Sequence, residues 1–179
     1  HLSALMGGKS LIWASDRAGW RLDRLRQRAG RAKCFNYRAV HWDGSEHPPT
    51  KTRFDGILLD APCSGLGSLR RKPEARWRKS PEQLPELTTL QSSLIDSAVK
   101  ALKSGGYLMY ATCSPLVAET NTQIRGLVER HPNMKLVDLP AILGALNPEL
   151  KLNASRKTVQ LWTHQHRTDA MFMALLKKD

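Results

Sequence analysis

The feature that most constrains this chain is a pair of apolar runs, each ending in a cysteine turn. Residues 54–59 carry no charge after Asp55 and stop at Asp60-Ala61-Pro62-Cys63-Ser64-Gly65. The run reads as a buried strand, and Pro62, Ser64 and Gly65 read as the turn that ends it. The run Tyr107-Leu108-Met109-Tyr110-Ala111 has the same character and ends in Thr112-Cys113-Ser114-Pro115. Asp60, Cys63 and Cys113 therefore stand where strands give way to loops. In open α/β sheets ligands bind at that carboxyl edge, and two thiols at the ends of two strands of one sheet can share one cleft.

The segments around these runs fit an alternation of strands and helices. Residues 1–6 read as the end of a helix closed by Gly7-Gly8. Gly7-Gly8-Lys9-Ser10 lacks the full spacing of a phosphate loop, and reads as a turn into a strand at residues 10–14. That strand ends at Asp16, which can accept hydrogen bonds from ribose hydroxyls or cap the following helix. Residues 17–31 read as a strongly basic helix with Trp20, Leu22 and Leu25 as its apolar positions. Residues 34–40 read as a short strand with Cys34 as a small core residue. Ser80-Pro81-Glu82-Gln83 has the signature of a helix start, and the helix is expected to run to about Lys103, stopped by Gly105-Gly106. Residues 119–130 form another predicted helix, opening with Glu119, and residues 134–139 a strand. Residues 140–155 are expected to be loop-rich, and residues 158–163 and 170–176 to form two closing antiparallel strands.

Charge narrows the partner. The 179 residues carry 28 Lys and Arg against 16 Asp and Glu, a net charge of +12, which favours a polyanion. Arg70, Arg71, Lys72, Arg76, Arg78 and Lys79 cluster around Trp77, a candidate phosphate-binding patch with a stacking platform. Three widely spaced cysteines without a Cys-x-x-Cys motif make a poor disulfide framework and a poor zinc site. Free thiols suit a reducing cytoplasm, and no apolar run is long enough to span a bilayer. His164 and His166 could share a face, but no third metal ligand accompanies them. The sequence points to no obligate protein partner. The length fits one domain.

The two cysteine motifs, Asp60-Ala61-Pro62-Cys63-Ser64-Gly65 and Ala111-Thr112-Cys113-Ser114-Pro115, resemble those of the RNA (cytosine-5) methyltransferases, in particular the Fmu/Sun ribosomal RNA group. The stretch from Arg70 to Trp77 and the tail from Gln160 to Ala174 resemble that group too, so the likeness covers nearly the whole chain. It implies a Rossmann-like, mostly parallel α/β sheet with an antiparallel strand near one edge. It also implies S-adenosylmethionine as cofactor, with Asp16 at the ribose, Asp43 at the adenine amino group, and Asp60 and Pro62 beside the methyl donor. By resemblance Cys113 is the nucleophile, Cys63 assists product release, and the substrate is ribosomal RNA. The residues alone do not assign roles to the two thiols.

The chemistry of carbon-5 fits two thiols. That carbon takes a methyl group poorly unaided, and adding a thiolate to carbon-6 pushes electron density onto it. The thiolate needs a lowered pKa, and a carboxyl group can assist at N3. A base must then remove the carbon-5 proton so that the cysteine can leave. The family's first strand and glycine-rich loop do not precede residues 1–6 here, so the chain is expected to be a partial catalytic domain that binds cofactor weakly by itself. A transfer RNA target, or a non-enzymatic basic RNA-binding module, are the alternatives. A thiol redox or hydrolytic enzyme is disfavoured by the lack of Cys-x-x-Cys and of a positioned triad histidine.

Overall fold

The computed structural model describes residues 1–42 and 50–179. They form two compact units, 1–51 and 52–179. The first holds α1 (Leu2–Leu5), β1 (Ile12–Asp16), α2 (Gly19–Arg31) and β2 (Tyr37–His41). β1 and β2 pair in parallel from Ile12 opposite Tyr37 to Asp16 opposite His41. Gly7 and Gly8, at φ +57° and +69°, make the left-handed turn after α1 that a side chain would resist. On α2, Leu22 and Ala29 are buried while Trp20 is exposed. Its indole instead lies beneath the Arg24 and Arg21 guanidiniums, 4.9 and 5.3 Å from the ring, a cation–π stack on the basic face. Cys34 lies in the turn before β2, half-buried rather than in a strand core.

The second unit holds β3 (Phe54–Asp60), α3 (Ala75–Arg78), α4 (Leu84–Ala101), β4 (Leu102–Thr112), α5 (Asn121–Arg130), β5 (Met134–Leu136), α6 (Leu139–Leu146), β6 (Val159–Gln160), α7 (Thr163–His166) and β7 (Phe172–Lys178). The sheet order is β3-β4-β7-β5, with β6 also pairing β7. β3 and β4 are parallel, and β7 is antiparallel to β4, β5 and β6. Four strands thus point one way and β7 alone points the other, one place in from the β5 edge. This is the expected α/β class, mostly parallel with one reversed strand near an edge.

Period-2 alternation places Leu108 and Tyr110 of β4 on the same face as Ala174 and Leu176 of β7, all fully buried. Ile95 of α4 and Leu127 of α5 join the same cluster, and burying each such large apolar side chain contributes about 1.5–3 kcal/mol. α4 begins as expected: Ser80 and Gln83 form a reciprocal capping box around Pro81, in a turn that leads into the helix. It ends sooner than expected, at Ala101, because Leu102 already joins β4. Gly105 and Gly106 do not stop a helix; they form an irregularity inside β4, where Phe54 pairs Leu102 but Gly56 pairs Tyr107. Gly105 takes φ +77°, the left-handed conformation such a bulge favours.

α6 replaces the expected loop over 140–155 in part. Asp138 accepts from Ala141 N–H and Pro140 sits in the first turn, so the proline opens a helix here. β5 is correspondingly shorter than 134–139. No helix among the described residues is long and apolar enough to cross a membrane.

Candidate active site

The carboxyl ends of β3 and β4 are adjacent, since Asp60 pairs Ala111 and Ala61 N–H donates to Ala111 O at 2.9 Å. This juxtaposition brings the two cysteine turns together: Cys63 Sγ lies 3.5 Å from Cys113 Sγ. Both thiols are half-buried and neither is in a disulfide. The pair holds its last proton tightly and gives up its first readily. The hydrogen bond from Cys63, chiefly, draws the Cys113 thiol down to about 7, against opposition from burial and from the Asp60 carboxylate; Lys72 adds a smaller downward pull. The hydrogen bond to Cys113, then burial, then the charge on Cys113 push Cys63 far up. As the pH rises through about 7 the site therefore gains one thiolate, on Cys113, stabilised by the S–H of Cys63.

The two turns are tied together from below. Ser64 follows Cys63 and Ser114 follows Cys113, both buried. Both serines donate to the carboxyl group of Glu119, which is fully buried. Gln91 of α4 donates to Pro62 O at 2.8 Å and to Glu119 Oε1 at 3.1 Å. Gly67 closes the far side: its N–H donates to Cys113 O and its carbonyl accepts from Ala170 N–H, each at 2.9 Å. In sequence Glu119 reads only as the acid that opens a helix. A glutamate at such a position is ordinarily exposed, and no local signal marks it as buried.

The basic patch is exposed at Arg70, Arg71, Lys72, Arg76 and Arg78, and Trp77 is 84% exposed on α3. Arg71 differs from its neighbours. It grips Asp169 through Nε and a terminal nitrogen, at 2.9 and 2.5 Å, and that guanidinium holds the carboxyl below the usual carboxylate range. Its partner is 98 positions away in sequence, so nothing local distinguishes Arg71 from the other five cations.

Asp16, in the first unit, ends β1 and is half-buried. Its Oδ1 accepts from Ala18 N–H at 2.8 Å and its Oδ2 faces Arg21 at 3.4 Å, so it caps the turn ahead of α2, while each oxygen keeps acceptor capacity. Asp43 lies outside the described residues. His166 is fixed in its own turn, accepting from Trp162 N–H at Nδ1 and donating from Nε2 to Lys151 O at 3.0 Å. Among the described residues no three His, Cys, Asp or Glu side chains gather as a metal site.

Residues 1–177 match the family described as 16S rRNA methyltransferase RsmB/F. The chain belongs to that family. Relatives of the RsmB/F chain include the "Probable ribosomal RNA small subunit methyltransferase B" of Synechocystis, 34% identical over 99% of this chain and 40% of that protein. The Ribosomal RNA small subunit methyltransferase B of Escherichia coli O127:H6 is 46% identical over 49% of this chain and 20% of its own length. This RsmB/F chain thus spans well under half of those relatives. Among solved structures, PH0851 superposes with a TM-score of 0.89 at 33% identity, over 99% of this chain and 39% of that one. NSun6 from Pyrococcus horikoshii, solved with SFG, superposes at 0.84 and 26% identity over 99% of this chain and 44% of that one. The RsmB/F family takes its methyl group from S-adenosylmethionine. Asp60 suits that ligand, with its carboxyl group at the carboxyl end of a parallel strand, the placement from which such sheets hold nucleoside ligands; in the first unit, taken by itself, Asp16 ends its parallel strand in the same way.

Proposed function

We propose that this chain carries the catalytic residues of an enzyme that methylates carbon-5 of a cytosine in ribosomal RNA through a covalent cysteine–cytosine adduct. The observation that carries the reading is the contact between Cys63 and Cys113 at 3.5 Å, with Cys113 as the thiolate of the pair. Cys113 adds to carbon-6, and Asp60, at the strand end beside it, takes the protonated form with the base bound and donates to N3 as electron density moves into the ring. S-adenosylmethionine, held in part by Asp16, Asp43, Asp60 and Pro62, supplies the methyl group as an electrophile. Carbon-5, made nucleophilic by the adduct, receives it.

The pair then explains release. Once Cys113 sulfur is bonded to carbon, it carries no charge and no longer accepts from Cys63. The hydrogen bond and the charge that held the Cys63 proton are gone; burial still raises it, opposed by backbone hydrogen bonds at Gly65 and Cys113. Cys63, only half-buried, becomes able to give that proton to water and then, as thiolate, to take the one on carbon-5, whose electron pair forms the carbon-5–carbon-6 double bond as the carbon–sulfur bond breaks and Cys113 leaves as thiolate. Free thiols in the site favour a reducing compartment such as the cytoplasm.

The test is tritium release. Ribosomal RNA labelled with tritium at cytosine carbon-5, given to the full-length protein with S-adenosylmethionine, should lose one tritium for each methyl group gained. Methylation without tritium loss would put the methyl group elsewhere and end the cytosine-5 reading.

RNA is held by the exposed cations. Neutralising Arg70, Lys72, Arg76 and Arg78 together should weaken RNA binding at low salt and reduce the slope of log affinity against log salt by about 3, at about 0.7 per single-strand phosphate contact. Arg71 stays in place in that variant because Asp169 already engages it. An unchanged slope, measured by fluorescence anisotropy, would put the RNA on another face.

A further inference from the structure

We propose that Glu119 is a positioning residue: its buried carboxyl group, gripping Ser64 and Ser114 at once, fixes the distance between Cys63 and Cys113. This rests on the covalent reading above, in which that distance matters. Glu119 has no solvent exposure, and its two oxygens receive four donors. Ser64 contributes both its N–H, at 2.7 Å to Oε1, and its hydroxyl, at 2.6 Å to Oε2. The Ser114 hydroxyl donates to the same Oε2 at 2.5 Å, and Gln91 completes the set at Oε1. The two serine oxygens are themselves 3.3 Å apart.

Each serine directly follows one of the two cysteines. Hydrophobic packing alone cannot set a sulfur–sulfur separation to a few tenths of an ångström, because the turns that carry the cysteines come from different strands. A single acceptor shared by both turns can. Glu119 is also anchored from outside the site. Its carbonyl accepts from the buried Tyr110 hydroxyl at 2.9 Å, and its N–H donates to Leu116 O. It lies in the turn Val117–Glu119 that leads into α5, so the clasp is built on packed secondary structure rather than on a free loop. Glu119 does not approach the base; it acts through the two thiols.

Glu119→Gln keeps the shape of the side chain but replaces one acceptor oxygen with a donor, so the four donors meet one oxygen fewer. Ser114→Ala removes one strand of the clasp with little change in volume, and keeps the test open if the Glu119→Gln protein does not fold. Both are made in the full-length protein and checked for native circular dichroism at the assay temperature. Two quantities are read. The first is kcat against KM for RNA. The second is the pH midpoint for alkylation of Cys113 by N-ethylmaleimide, followed by peptide mass spectrometry without RNA or methyl donor.

Both variants should lower kcat tenfold or more with KM within about threefold. They should move the alkylation midpoint from near 7 toward the ordinary thiol value of about 8.5, because Cys113 loses its close S–H partner. A midpoint and kcat unchanged in folded Ser114→Ala protein would overturn the proposal, as would losses that only track the unfolded fraction. The alkylation reading needs no methylation. A shifted midpoint in a protein that fails the tritium test would leave the clasp standing and remove only the cytosine-5 reading.

Discussion

Cys63→Ala protein, mixed with ribosomal RNA and S-adenosylmethionine, should accumulate a protein–RNA complex that survives denaturing electrophoresis, whereas Cys113→Ala protein should form none. On the proposed mechanism alanine at 113 removes the sulfur that adds to carbon-6, so the covalent route is closed and turnover should fall by a factor on the order of 10³ or more, the scale on which losing a covalent nucleophile acts. Alanine at 63 leaves that sulfur in place. It also removes the S–H that lowers the Cys113 thiol, so addition should slow at pH 7 and recover as the pH is raised toward 8.5. Methyl transfer can still follow, but nothing then removes the carbon-5 proton, and the adduct persists. A trapped complex in Cys113→Ala and none in Cys63→Ala would exchange the two roles. Full turnover in both would end the covalent mechanism.

Gly67→Ala should be among the most destabilising small substitutions in this unit. A β-carbon built on Gly67 would lie 2.0 Å from Ala170 O and 2.8 Å from Cys113 O, and both obstacles are backbone. Neither can swing aside as a side-chain tip would, and both belong to residues whose backbone Gly67 itself hydrogen-bonds. We expect a loss of about 3 kcal/mol or more, the upper range for overpacking, and a fall in melting temperature of about 10 °C. Gly65→Ala is the useful contrast. Gly65 sits at φ +73° with its added carbon 3.9 Å from the nearest atom, so only conformational strain of about 1–2 kcal/mol applies. Thermal unfolding by circular dichroism ranks the two. Equal losses would mean that the turn around residue 67 yields more easily than its contacts indicate.

Much of this arrangement is legible in the sequence, and the reasons differ from residue to residue. The strands ending at Asp60 and Thr112 announce themselves because a short apolar run stopped by proline, serine and glycine has few other readings. The two thiols follow directly, since parallel neighbouring strands bring their carboxyl ends together. Their unequal pull on protons is not visible in the sequence, because it arises from a 3.5 Å contact across fifty positions. Glu119 and Arg71 escape a sequence reading for a shared reason. A charged side chain reads as exposed until its partner is known, and their partners, Ser64 and Asp169, are 55 and 98 positions away. α6 is hidden by its own Pro140, which reads as a breaker unless it is recognised as the first turn of a helix. Leu84 to Ala101, by contrast, carries both its cap and its apolar stripe in plain sequence.

The placement of β7 has a consequence for how the chain is made. β7 follows β3, β4, β5 and β6 in sequence, yet it lies between β4 and β5 and pairs with both, and Lys178 at its end donates to Val99 O and Leu102 O where α4 passes into β4. A chain emerging from the ribosome presents β4 long before β7. Until residue 178 clears the exit tunnel, β4 has one open edge, and the face that Leu108 and Tyr110 share with β7 is uncovered. Such an edge is a template for pairing with other chains. The second unit therefore closes only after β7 has been made, and over that interval the nascent polypeptide is open to mispairing for longer than a fold whose strands pair in the order they are translated.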